Sequence, residues 1–208
     1  MARGRTKKLS LIVVALLVPP TVLYLCRSTP TAREVATRSI SDIIDGDCSY
    51  AIRFVRDEEY RAAKVGSDGM LRYLREYVKA TLMPFRQVGP IVVEEYPQQN
   101  LVTARAVLQE QTGRETYLFV TVSETDDGPR HLSLMHNTFM ACLLSHWDKG
   151  PPLPRGASRL RFFSETVVKE AGRLEGLGLP GLALYDMRED AFRHAPWTAV
   201  AKFFLPKP

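Results

Sequence analysis

Residues 101–122, LVTARAVLQEQTGRETYLFVTV, decide how this chain folds. Val102, Ala104, Ala106 and Leu108 occupy alternate positions, so an extended backbone points all four to one side. Thr112-Gly113 is a turn sequence, and alternation resumes over Tyr117–Val122. Two period-2 runs joined by so short a turn predict neighbouring antiparallel strands. The pattern continues in both directions. Val88–Tyr96 is rich in β-branched residues and supplies a strand before them. Asp126-Asp127-Gly128-Pro129 turns the chain again, and His131–Leu134 begins a fourth strand.

Helical spacing dominates upstream of the meander. Thr31-Ala-Arg-Glu34 has the form of a capping box, followed by an apolar face of Ile40, Ile43 and Ile44, and Asp45-Gly46 breaks that helix. Cys48, Ala51, Ile52 and Val55 predict a second helix, and Met70, Leu71, Leu74, Tyr77, Val78 and Leu82 a third that ends near Pro84. Downstream, residues 135–147 fit either a helix or a long buried strand, and Asn137 favours the helix as a cap. Asp148–Gly156, with three prolines and two glycines, is a linker. Arg159–Glu175 predicts a helix with Leu160, Phe163, Val167, Ala171 and Leu174 inward, and Thr198–Leu205 a closing strand. Phe162, Phe163, Trp197, Phe203 and Phe204 make this end strongly apolar, as core or as a docking patch.

The fold class is therefore α+β: helices packed on a curved antiparallel meander, with a C-terminal helix and closing strand. Over residues 33–147 this order of elements resembles the NTF2-like cone, in which helices close a bent sheet around a pocket. The resemblance rests on element order alone, implies a pocket, and carries no functional residue with it.

The N-terminus sets the address. Residues 9–26, LSLIVVALLVPPTVLYLC, carry no charge over eighteen positions, and Arg3, Arg5, Lys7 and Lys8 precede them. As a helix they would reach roughly 27 Å, close to the ~30 Å of a hydrocarbon core. Basic residues resist translocation, which predicts a single-pass signal-anchor with a cytoplasmic N-terminus in the cell membrane. The domains expected are a cytoplasmic basic segment at 1–8, a transmembrane helix at 9–26, a juxtamembrane linker at 27–32 and a single extracytoplasmic domain at 33–208. Pro19 and Pro20 interrupt the run, and Leu9–Val18 has the length of a cleavable signal core, so a secreted form is the alternative. Cys26 follows Leu25, a poor match to a lipidation signal.

Charge argues against nucleic acid. The whole chain carries +5, but residues 1–29 hold five basic side chains and no acid, which leaves 23 Lys and Arg against 23 Asp and Glu beyond them. Phosphate binding needs a concentrated positive face. The expected partners are the membrane, through residues 9–26, and another membrane or envelope protein.

Catalytic and cofactor signatures are weak throughout. Gly176-Leu-Gly-Leu-Pro-Gly181 spells a dinucleotide fingerprint but follows a helix rather than a strand, so Gly176 reads as a helix cap and no cofactor is expected. His131, His136, His146 and Cys142 are the densest set of metal-ligand types, yet no ligand-pair motif is present and no metal is expected. Asp45, Asp47, Asp57, Glu58 and Glu59 lack the alternating ligands of a calcium loop and read as solvated surface. Glu94 and Glu95 point to opposite faces of a strand, and Ser133, Ser145 and Ser158 lack a nucleophile-elbow pattern. Tyr117 and His136 are the candidates to line a pocket. Cys48 and Cys142 are either a disulfide or a pair of buried free thiols. The sequence points to a membrane-tethered, non-enzymatic binding or assembly module, with a small-molecule or enzymatic cone-like pocket as the alternative.

Overall fold

The capping box at Thr31 forms as its sequence requires. In the computed structural model, which describes residues 29–147 and 156–179, Thr31 Oγ1 accepts from Glu34 N at 3.2 Å and Glu34 Oε2 accepts from Thr31 N at 2.8 Å. The chain divides into two units, Met1–Pro30 and Thr31–Pro208, and the described helices and strands belong to the second. Residues 9–26, residues 148–155 and Thr198–Leu205 lie outside the described residues. Among the described residues, no helix is long and apolar enough to cross a membrane.

Helix α1 (Ala32–Asp45) buries Val35, Ala36, Ile40 and Ile43 on one face and stops at Gly46, whose φ of 90° is left-handed. The stretch after it is not the continuous second helix that spacing predicts. It is a single 3-10 turn, Ala51–Phe54, then α2 (Asp57–Ala63). The reason lies in Asp42, whose Oδ2 accepts from Tyr50 N and Ala51 N at 2.8 and 2.9 Å and holds the turn against the end of α1. The predicted third helix is present as α3 (Ser67–Arg72), a π-helical segment Tyr73–Lys79 and α4 (Ala80–Leu82). Tyr73 and Tyr77, four positions apart, stack with centroids 5.5 Å apart, and Tyr77 stacks in turn on Phe139.

The meander follows as β1 (Phe85–Tyr96), β2 (Leu101–Glu110), β3 (Glu115–Thr125) and β4 (Gly128–His131), all antiparallel in the order β1-β2-β3-β4. The fourth strand ends at His131, where the alternation predicted a start. Ala104, Ala106 and Leu108 pair across to Val120, Leu118 and Thr116, and all six are buried on the helix-facing side. Thr103 and Thr121 meet on the other face with hydroxyls 3.1 Å apart. In β1 the register slips: Gly89, Pro90 and Ile91 bulge out between the Val88–Val107 and Val92–Arg105 pairs. Helix α1 packs across β2 and β3.

Residues 135–147 resolve as helix α5 (Leu134–Leu144), which packs on β3. Asn137 is not its cap. It sits inside the helix, with Nδ2 donating to the Leu132 carbonyl at 3.3 Å, while Ser133 occupies the cap position. Helix α6 spans Gly156–Gly176. Its stop is Gly178 rather than Gly176. Leu179 N bonds to the Leu174 carbonyl and Gly178 N to the Glu175 carbonyl, a Schellman end that needs the left-handed φ of 69° at Gly178. Leu174 and Leu179 are both buried in the core. Burying each such side chain stabilises the fold by roughly 1.5–3 kcal/mol.

Candidate functional site

The 3-10 turn, the start of α2 and the β3–β4 turn enclose an open groove of about 700 Å³. Ile52, Val55 and Tyr60 give it apolar surface, and Arg53, Arg56 and Arg130 bring three guanidinium groups to it. Asp57, Glu58, Thr125 and Asp127 complete the lining. Tyr60 is pinned by its hydroxyl, which donates to the Ile52 carbonyl at 3.0 Å. Ser123 joins two of the arginines: its Oγ accepts from Arg56 Nη2 and donates to the Arg130 carbonyl. Ser123 and Arg130 are also cross-strand partners, so the pairing of β3 with β4 places Arg130 beside Arg56.

Two buried titratable groups lie close behind. Glu59 was expected on the solvated surface, with Asp57 and Glu58. Only 4% of it is exposed, and its carboxylate caps α5, accepting from Leu134 N at 3.2 Å and Met135 N at 2.5 Å. Burial pushes its pKa up to about 7 against those two bonds and the nearby Arg56. His131 is fully buried, with Nε2 3.0 Å from the Ala51 carbonyl, to which it donates, and 3.2 Å from Ser39 Oγ. Burial lowers its pKa to about 4, so it is neutral at pH 7. It braces α1, the 3-10 turn and β4 together.

A second polar centre ties α6 to the rest. Glu170, fully buried, accepts from the Tyr77 hydroxyl and from Arg173 Nη1, both at 2.8 Å, and His146 Nε2 stands 2.9 Å from its other oxygen. Burial would raise this carboxyl, but His146, Tyr77 and Arg173 together hold it below its ordinary range. Tyr77 and His146 reach Glu170 from outside α6, while Arg173 pairs with it from within the same helix, which is the chemistry of a structural clamp.

Cys48 and Cys142 are buried free thiols, so the disulfide alternative does not form in this structure. Burial raises the Cys48 pKa to about 12 and lifts the Cys142 thiol as well, which suppresses the thiolate that a nucleophile needs. Tyr117 and His136 are both half-buried, and neither lines the groove. Tyr117 is on the opposite face of β3 from Leu118, with its hydroxyl 3.4 Å from Glu115. Glu94 accepts from Tyr96 while Glu95 pairs with Arg33, as expected of opposite strand faces. Ser145 Oγ donates to the Cys142 carbonyl. Among the described residues, no three His, Cys, Asp or Glu side chains converge to hold a metal ion.

Arg53, Arg56 and Arg130 carry no motif in the sequence. Arg53 and Arg56 stand three positions apart beside the acidic run Asp57–Glu59, and only strand pairing brings Arg130 to join them. Chemically, the groove is a mixed surface for binding, in which Arg53, Arg56 and Arg130 stand with Asp57, Glu58 and Asp127 beside the apolar Ile52 and Tyr60. Comparison of the chain with protein-family models, curated proteins and solved structures returned no match.

Proposed function

We propose that this chain is a membrane-tethered, non-enzymatic binding module: residues 9–26 anchor it, and the domain at 33–208 lies outside the cytoplasm and engages another membrane or envelope protein. The observation that carries the reading is how the reactive side chains are used. Glu59, His131 and Glu170 are committed to holding elements together, and the two thiols are buried. The open groove, by contrast, presents three arginines to solvent-accessible space. Tethering favours such a module, because confinement near the bilayer raises its effective concentration beside membrane partners. The alternative, an NTF2-like cone with an enclosed pocket, would need a void between α1 and the sheet. Ile40, Ile43, Ala104, Leu118 and Val120 are buried in one core there, which counts against it.

Reporter fusions at residue 30 and at the C-terminus test the topology. Both reporters should be active only outside the cytoplasm, with the chain retained in carbonate-washed membranes. Recovery in the soluble fraction, or a cytoplasmic reporter signal, refutes the tether. Crosslinking in intact cells should return a second membrane or envelope protein; monomer alone refutes the module.

A further inference from the structure

We propose that the groove takes an extended peptide segment of a partner protein in which carboxylates flank an apolar side chain. This rests on the binding-module reading above and names its ligand class. The first ground is an imbalance of partners. Arg33, Arg61, Arg72, Arg75, Arg114 and Arg173 each pair with a carboxylate within 3.2 Å. Among the described residues, Arg38, Arg53, Arg56, Arg86 and Arg130 have no such ion pair, and three of these five, Arg53, Arg56 and Arg130, line one groove. Arg56 is held by Ser123 and Arg130 Nη1 by the Pro129 carbonyl, which orients the guanidinium groups without neutralising them.

The second ground is what surrounds them. Glu58 is already committed to Arg61 at 2.9 Å, so the uncommitted carboxylates of the lining are Asp57 and Asp127. Three arginines against two uncommitted aspartates leave one surplus positive charge, with Arg56 also near the buried Glu59, and that surplus favours a ligand of net negative charge. The same two aspartates repel a uniformly anionic polymer, which sets the groove apart from a phosphate-backbone site. A guanidinium fork matches a carboxylate with two parallel hydrogen bonds, more closely than an ammonium would. Beside the arginines, half-buried Ile52 and Tyr60 offer apolar surface, which an aliphatic side chain of the ligand can cover. A volume of about 700 Å³ is of the size that encloses a ligand of a few residues rather than a folded element.

The test is fluorescence anisotropy on the full-length chain in detergent micelles. The probe is a fluorescein-labelled peptide with one leucine between two glutamates, compared with its glutamine counterpart. The glutamate peptide should bind about ten-fold or more tightly than the glutamine one, and more weakly as salt rises. Arg53→Gln combined with Arg130→Gln should weaken it about ten-fold, and exposed Arg53→Gln alone by a smaller factor. Arg33→Gln, outside the groove, should change nothing. Equal binding of the two peptides, or no loss in the double variant with its circular dichroism unchanged, overturns the proposal. A lysine-containing counterpart that binds instead overturns the ligand class and leaves a binding groove. Free glutarate that binds as tightly as the peptide overturns the peptide in favour of a small acid. Failure of the module itself would show separately, as the absence of any crosslinked partner.

Discussion

Glu59 and His131 should pull stability in opposite directions across the same pH range, and substituting either one exposes the other. The Glu59 carboxyl rises from 4.5 to about 7 on folding, because burial disfavours its charge. Its contribution to stability is therefore complete below pH 4.5 and is lost as pH climbs through 7, a fall of about 3 kcal/mol. The His131 imidazole drops from 6.5 to about 4, for the same physical reason with the opposite charge. Its contribution is complete above pH 6.5 and is lost as pH falls through 4, again about 3 kcal/mol. Between pH 4.5 and 6.5 the two nearly cancel in the unsubstituted chain. Glu59→Gln keeps the shape and one acceptor for the α5 amides but removes the titration. Urea unfolding of the purified chain, followed by circular dichroism from pH 4 to pH 7.5, reads the result. In Glu59→Gln, stability relative to the unsubstituted chain should rise by about 3 kcal/mol as pH increases through that range, and His131→Gln should show the reverse. The other carboxylates titrate alike in all three proteins and drop out of the differences. If the Glu59→Gln profile runs parallel to that of the unsubstituted chain, the buried-cap reasoning is wrong.

Three further outcomes follow from the packing. Thr31→Ala removes one half of the capping box and should cost about 1 kcal/mol in the same urea assay, whereas no change would mean that the helix start is held by other contacts. Leu118→Ala, at a fully buried site, should cost about 2–5 kcal/mol, while Val168→Ala, at a site 74% exposed, should stay within about 0.5 kcal/mol. In a Cys26→Ser background, a thiol reagent should label neither Cys48 nor Cys142 until urea unfolds the chain; fast labelling of the native protein would contradict their burial.

The sequence was most legible where a short-range rule acts alone. The capping box at Thr31, the left-handed stop at Gly46 and the strands either side of Thr112-Gly113 are each decided by neighbouring residues. It was least legible where a distant group intervenes. Asp42 captures the amides of Tyr50 and Ala51 and cuts the expected second helix to one turn. Glu59 looks solvated in an acidic run, but an amide-rich helix end some 75 residues later takes it in. For the groove, Arg53 and Arg56 were visible as a pair with nothing to distinguish them. Their meaning depends on Arg130, which arrives by strand pairing and carries no local mark. Gly176 and Gly178 differ only in which one the chain reverses at, and both suit a helix end.

The bulge at Gly89–Ile91 matters beyond the register of one sheet. β1 is the outermost described strand on its side, and its Val88 and Val92 are 48% and 40% exposed. A straight strand of that kind is a template on which identical molecules zip together, most of all when they are crowded. Pro90 offers no amide to an incoming strand, and the kink keeps the rim from lying flat against a twin. Deleting two residues to iron it out would trade a discrete globule for one prone to fibres.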